Sequence, residues 1–134
     1  MAILVGGLLA IAVGAFATVS GLDRDRAFYP TVMIVIALLY SLFAAIGAST
    51  HAFVLDALIG GVFIAAATIG FRSSLWIVAT ALAAHGAFDL VHESIVSNPG
   101  VPPWWPGFCG TYDIAAAGYL AWLLTSGRIR ASRA

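Results

Sequence analysis

Long apolar runs separated by short polar connections make up most of this chain. Five of the runs approach the roughly 20 residues that an α-helix needs to cross the hydrocarbon core of a bilayer. We predict helices over residues 3–20, 30–48, 52–70, 75–97 and 111–126. The pattern therefore predicts an all-α fold, an integral membrane bundle of five transmembrane helices that forms a single domain over residues 1–134.

The fifth predicted helix is shorter than a bilayer requires. Residues 111–126 would rise only about 24 Å, against about 30 Å of hydrocarbon. The segment before it, residues 98–107, is rich in Pro and Gly and is not expected to be helical. Trp104 and Trp105 in that segment suit a membrane–water interface. We therefore expect either local thinning of the bilayer or a segment that dips into the interface.

Composition supports the membrane class. Hydrophobic residues make up 62% of the chain and charged residues only 9%, whereas soluble domains average about 25% charged residues. The formal net charge is zero and no large basic patch is visible, which argues against nucleic acid as a partner. We therefore expect the chain to lie in a lipid bilayer.

Arginine placement predicts the orientation. All six basic residues are Arg, and they lie between runs one and two, between runs three and four, and after run five. The positive-inside rule then puts these segments in the cytoplasm, with the N-terminus outside and the C-terminus inside the cell membrane. The first run could instead be a signal peptide cleaved after Ala15-Phe16-Ala17, but no basic segment precedes it, which favours retention. The loops would keep the same sides in either case.

A stripe of ionisable residues runs along the fourth predicted helix. At about 100° per residue, His85, Asp89, His92 and Glu93 fall within an arc of roughly 120°. The predicted topology brings Asp56 and Asp113 in from the same side of the membrane. Ionisable groups inside a membrane are costly to keep, so this outward-opening group is a functional-site hypothesis by default.

Metal binding is the first interpretation of the stripe. Imidazole and carboxylate groups are ligands for Zn, Fe, Mn or Cu, and helix bundles build such sites from i, i+3 pairs like Asp89 and His92. A divalent cation would also offset the charge of buried carboxylates. The predicted ligands are His85, Asp89, His92, Glu93, Asp56 and Asp113. Cys109 could add a soft ligand, although a lone cysteine is more often a small apolar residue.

Two other interpretations stay open. The same groups could relay protons or bind a cation in a small transporter, or they could form a buried polar network in a structural or assembly subunit. Whether the protein is an enzyme is also left open. In the second run, Tyr40 is expected to be a packing residue. Small residues such as Ala10 and Gly14 in the first run favour close helix contact, which a homo-oligomer could supply.

The run His85-Gly86-x-x-Asp89-x-x-His92, followed by a Pro/Trp-rich loop and Tyr112-Asp113, resembles uncharacterised small bacterial multi-pass membrane proteins. The resemblance covers about the last third of the chain. It implies a helical membrane protein and carries no implication for activity. The repeated His-rich boxes of membrane desaturases and hydroxylases are absent from the sequence.

Overall fold

The computed structural model describes residues 1–133, and these form five α-helices joined by two short turns and two longer loops. The helices are α1 (Ala2–Ser20), α2 (Phe28–Ile46), α3 (Thr50–Arg72), α4 (Leu75–Ile95) and α5 (Trp105–Thr125). Within the described residues, α1 to α4 are long and apolar enough to cross a membrane, and α5 does not meet that standard of apolarity. The all-α fold and the membrane class are confirmed at this level, whereas a fifth span is not established.

Local sequence explains where the helices begin and end. The hydroxyl of Ser49 accepts a hydrogen bond from the backbone N–H of Ala52 at the start of α3. Helix α1 ends at Gly21, whose φ of 83° is a left-handed conformation that glycine adopts without a Cβ clash. Helix α5 begins at Trp105, earlier than the predicted residue 111. Pro106 is tolerated there because the first turn of a helix does not use its N–H groups internally.

Helix α5 lies between α1 and α4, and α2 packs against α3 and α4. Helices α1 and α5 run parallel, because Thr111 donates to the carbonyl of Ile3 near one end while the hydroxyls of Thr18 and Tyr119 lie 2.9 Å apart near the other. Gly6 faces the Phe108 carbonyl directly. The small-residue face of α1 therefore packs on α5 within one chain, and a homo-oligomer through it stays a prediction.

Two glycines let α4 and α5 approach closely. A Cβ added to Gly86 would lie 2.9 Å from the carbonyl oxygen of Gly110, and a Cβ on Gly110 would lie 3.2 Å from the carbonyl oxygen of Gly86. Small residues at such a crossing allow backbone contact between membrane helices. Because the helices touch here, side chains one turn away on each helix meet across the interface.

The arginine-rich end of the bundle, formed by the α1–α2 loop, the α3–α4 turn and the C-terminal tail, is tied together by Arg26. Its guanidinium donates to the carbonyls of Arg130, Ala131 and Phe71. The Ala131 carbonyl also accepts from the N–H of Leu75 at the start of α4. The tail therefore packs against the bundle end at which α2 and α4 begin.

Candidate metal centre

Four side chains from α4 and α5 meet beside the glycine crossing. His85 and Asp89 lie one turn apart on α4, and Cys109 and Asp113 lie one turn apart on α5. One nitrogen, oxygen or sulfur atom from each residue lies within 4.8 Å of the others. All four residues are buried, with at most 3% of their surface exposed. We call this group the α4–α5 cluster.

A short hydrogen bond joins the two helices inside the cluster. His85 Nδ1 lies 2.7 Å from Asp113 Oδ2 and 3.7 Å from Asp89 Oδ2. The thiol of Cys109 donates to Asp113 Oδ1 over 3.9 Å. Phe63 of α3 packs edge-on against the imidazole, with ring centroids 4.7 Å apart. The ring of His85 is therefore held in one position by a carboxylate and an aromatic neighbour.

Asp89 is only partly hydrogen-bonded. Its Oδ1 accepts a hydrogen bond of 2.6 Å from the hydroxyl of Tyr40 on α2. Its Oδ2, buried and turned toward His85, has no hydrogen-bond partner among residues 1–133. An unsatisfied buried carboxylate oxygen is costly, so its retention calls for an explanation.

A second histidine–carboxylate pair lies nearer the end of the bundle opposite the arginines. His92 Nε2 lies 2.8 Å from Asp56 Oδ1, and the amide of Asn98 donates to Asp56 Oδ2 over 2.8 Å. The same amide donates to the backbone carbonyl of Tyr40. The Tyr40 ring stacks on His92 at 3.7 Å with an angle of 8° between the planes. We call His92 and Asp56 the loop-side pair, to which Asn98 donates a hydrogen bond.

The structure divides the residues that the sequence grouped together. His85, Asp89 and Asp113 lie in the α4–α5 cluster, and His92 and Asp56 form the loop-side pair. Glu93 is exposed and lines a pocket with the Pro-rich loop, and it is in neither group. The predicted set of six ligands is therefore not assembled around one point.

Three residues in or next to these two groups were not among the ligands predicted from the sequence. Cys109 joins the cluster, Asn98 donates to the loop-side pair, and Tyr40 contacts both groups. The signal for Tyr40 was its isolation in an apolar helix, since a buried tyrosine hydroxyl usually finds a partner. The signal for Cys109 was its i, i+4 spacing from Asp113. Nothing in the sequence indicated the role of Asn98 beyond its place in a turn.

The spacing of the cluster suits a small metal ion. In a tetrahedral Zn²⁺ site with bonds of about 2.0 to 2.3 Å, neighbouring ligand atoms lie about 3.3 to 3.8 Å apart. The distance from His85 Nδ1 to Asp89 Oδ2 already falls in this range, whereas the 2.7 Å bond to Asp113 would have to lengthen.

The all-α fold, the membrane-type helices and the buried His/Asp/Cys group place this molecule in the class of helical membrane proteins with a buried polar cluster. Comparison with protein families, with curated proteins and with solved structures finds no match. The resemblance of the last third to small bacterial membrane proteins stays a prediction. The function is therefore inferred from the geometry of the two groups.

Proposed function

We propose that this chain is an integral membrane protein that binds one divalent transition-metal ion in the α4–α5 cluster. The observation that carries the proposal is the convergence of one imidazole, two carboxylates and one thiol within 4.8 Å in the buried core. The free oxygen of Asp89 supports it, because among the described residues that atom has no other partner. Metal coordination would satisfy it.

Charge balance supports the same proposal. Asp89 and Asp113 together carry two negative charges when ionised, and a divalent cation neutralises them when His85 is neutral and Cys109 is a thiol. A Cys109 thiolate would leave one negative charge unless one carboxyl group keeps its proton. Without a metal, two carboxylates would share the cluster in a medium where isolated charges are strongly disfavoured. Binding would release any proton that a ligand holds, so metal affinity should rise with pH.

Cys109 disfavours Mn among the metals considered. Sulfur and imidazole ligands suit Zn, Cu and Fe, whereas Mn prefers oxygen ligands. A neutral thiol would have to become a thiolate to bind strongly. The proposed set is His85, Asp89, Cys109 and Asp113, with Zn²⁺ as the first metal to test.

We also propose that α5 is a fifth span. It has 21 residues and rises about 31 Å, which matches the hydrocarbon thickness. It lies parallel to α1 from Ile3 to Thr18, so a bilayer that α1 crosses surrounds α5 as well. Its lower apolarity reflects Asp113, which faces the cluster, together with its Gly, Pro, Trp and Tyr residues. Five spans keep the N-terminus outside and the C-terminus in the cytoplasm by the arginine rule.

The test is metal content by mass spectrometry on detergent-purified protein prepared without chelator and reloaded with Zn²⁺. Wild-type protein should hold about one ion per chain, and Asp113→Asn should lower the affinity at least about tenfold because it weakens a ligand. Asp56→Asn is the matched control, since it makes the same chemical change in the loop-side pair. It should retain the ion.

Equal metal content in Asp113→Asn and wild type, or no metal in reloaded wild type, would contradict the proposal. The second outcome would favour proton handling instead. The short His85–Asp113 bond and the contacts of Tyr40 with both groups are the observations that support that alternative. Such a chain of groups can pass a proton in a membrane protein.

A further inference from the structure

A small polar pocket lies at the arginine-rich end of the bundle. Its volume is about 220 Å³, room for about seven water molecules at about 30 Å³ each. We call it the arginine pocket, and it is lined by Thr18, Asp23, Arg24, Leu123, Arg128 and Ile129. All of these residues lie in the last turn of α1 or α5 or in the segments that follow those helices. The pocket is therefore confined to one end of the molecule.

Two arginines that line the pocket have no acidic partner. Among residues 1–133, neither Arg24 nor Arg128 forms an ion pair with a carboxylate. Arg26 in the same loop differs, because its guanidinium donates to three backbone carbonyls and holds the tail in place. The guanidinium groups of Arg24 and Arg128 are thus available to a ligand.

Neighbouring groups restrict both side chains. A Cβ built on Gly21 would lie 3.4 Å from Arg24 Nε, so the Arg24 side chain folds back over the end of α1. The guanidinium carbon of Arg128 lies 4.8 Å from the centre of the Trp122 ring, in a cation–π contact. These contacts lower the conformational entropy that each arginine loses when it binds a ligand.

The carboxylate of Asp23 is the third charge at the pocket, and the residue is only 3% exposed. Its Oδ2 accepts a hydrogen bond of 2.7 Å from the Thr18 hydroxyl, which lies 2.9 Å from the Tyr119 hydroxyl. With Asp23 ionised, two guanidinium groups and one carboxylate leave a single net positive charge at the pocket. A ligand with one negative charge would balance it, whereas a second negative charge would be repelled by Asp23.

The position of the pocket indicates which anion it meets. Helix α1 is long and apolar enough to cross a membrane, so its end lies where hydrocarbon gives way to phospholipid headgroups. Trp122 is 46% exposed beside the pocket and suits that boundary. Guanidinium groups bind phosphate oxygens through paired hydrogen bonds, and basic pockets at a membrane surface bind lipid headgroups. A phosphodiester carries the single negative charge that the pocket lacks.

We propose that the arginine pocket binds the phosphodiester group of a membrane phospholipid. Arg24 donates to its oxygens from the α1–α2 loop, and Arg128 donates from the segment after α5. The bound headgroup would link these two segments, and Asp23 would select against phosphate groups with two negative charges. The inference goes beyond the proposed metal site and does not depend on it, because no residue of the α4–α5 cluster lines this pocket.

The test is native mass spectrometry of the full-length protein in detergent, titrated with phosphatidylglycerol. Arg24→Gln and Arg128→Gln should each raise the dissociation constant about tenfold, because each removes hydrogen bonds to a charged group. Arg72→Gln is the matched control, since Arg72 is exposed at the same end of the bundle and lies outside the pocket. It removes the same charge and should leave the dissociation constant close to that of wild type.

Equal weakening in all three variants would overturn the inference, because general attraction to the arginine-rich end would then explain binding. Binding of diacylglycerol as tight as that of phosphatidylglycerol would also overturn it, since diacylglycerol has no phosphate. Inorganic phosphate and the soluble headgroup glycerophosphoglycerol distinguish the two sources of phosphate. Tighter binding of the lipid than of either soluble compound supports the proposal, and equal binding would overturn the assignment to a lipid.

Asp23→Asn tests the charge selectivity. The substitution keeps an oxygen that can accept from Thr18 and removes the negative charge. The ratio of phosphatidic acid to phosphatidylglycerol bound above neutral pH should rise, because the phosphomonoester of phosphatidic acid then carries more charge. An unchanged ratio would overturn the selective role of Asp23. Circular dichroism confirms that each variant keeps its helices, and Zn²⁺ content should stay at the wild-type level in all of them.

Discussion

Two histidine–aspartate pairs lie on the same face of α4, and they differ in how completely their polar atoms are satisfied. In the loop-side pair, His92 and Asn98 use both carboxylate oxygens of Asp56. In the α4–α5 cluster, a second carboxylate and a thiol accompany the pair, and Asp89 Oδ2 has no hydrogen-bond partner within residues 1–133. Both carboxylate oxygens of Asp56 are paired, whereas one carboxylate oxygen of Asp89 is left without a hydrogen-bond partner.

Under the proposed function, this difference assigns a structural role to the loop-side pair and metal binding to the α4–α5 cluster. A fully paired buried network stabilises and orients helices, and here it fastens the Pro-rich loop over α2 and α3. A network with surplus acceptors and excess negative charge is costly unless another group joins it. The comparison therefore predicts that variants in the two groups will separate metal binding from stability.

The largest expected effect comes from breaking the α4–α5 crossing with Gly86→Ala. The added Cβ would lie 2.9 Å from the Gly110 carbonyl oxygen and 3.2 Å from Asp113 Cβ, so the helices must move apart. We expect a loss of about 1–3 kcal/mol in the free energy of unfolding, typical of overpacking. Metal binding should fall with it. Thermal unfolding in detergent and metal analysis measure the two effects.

Gly118→Ala is the control for helix propensity on α5. Within the described part of the chain no atom lies within 4 Å of a Cβ placed there, so the change should be neutral or slightly stabilising. If Gly86→Ala were as stable and as metal-replete as Gly118→Ala, close approach at the crossing would not be what assembles the cluster.

The polar stripe on α4 was predictable because helical periodicity depends only on sequence spacing. The division of the stripe into two groups could also have been predicted from helix geometry, because His85 and His92 are seven residues, or about 10 Å, apart along the axis. That distance exceeds the separation of two ligands on one metal ion. The sequence analysis grouped these residues by their angular position around the helix and did not consider how far apart they lie along its axis. Glu93 lies roughly 100° from His92 on the helix and is exposed accordingly.

Contacts between helices were less predictable. Asp113 could be placed near α4 from topology, but the start of α5 at Trp105 was missed because Pro106 was interpreted as a helix breaker when it lies in the first turn. The hydrogen bond from the Tyr40 hydroxyl to Asp89 could not be predicted, because no periodic pattern in the sequence indicates which helix Tyr40 faces. The pairing of Gly86 with Gly110 depends on which helices are neighbours, which a single sequence does not specify.

Asn98→Ala tests the loop-side pair and should have the next largest effect. It removes two donated hydrogen bonds and the acceptor that the Gly100 N–H uses, which leaves buried groups unpaired. We expect a loss of about 1–3 kcal/mol in the free energy of unfolding. Metal content should stay at the wild-type level. A parallel loss of metal would show that the two groups act as one site, contrary to the comparison drawn from their geometry.

Tyr40→Phe tests the two groups separately, because Tyr40 contacts each of them with a different part of its side chain. The substitution removes the 2.6 Å bond to Asp89 and keeps the ring that stacks on His92. A partner that orients a metal ligand typically contributes about tenfold or more to affinity. We therefore expect Zn²⁺ affinity, measured by competition with a chelator, to fall about tenfold, which equals about 1.4 kcal/mol.

The loop-side pair should be unaffected by the same change. Unfolding of metal-free Tyr40→Phe should stay close to wild type if the ring provides the contact with His92, whereas Tyr40→Leu, which removes the ring as well, should lower stability further. Unchanged Zn²⁺ affinity in Tyr40→Phe would mean that Asp89 is positioned by the helix alone. In that case the two groups would be independent, and Tyr40 would be the packing residue that its apolar surroundings first indicated.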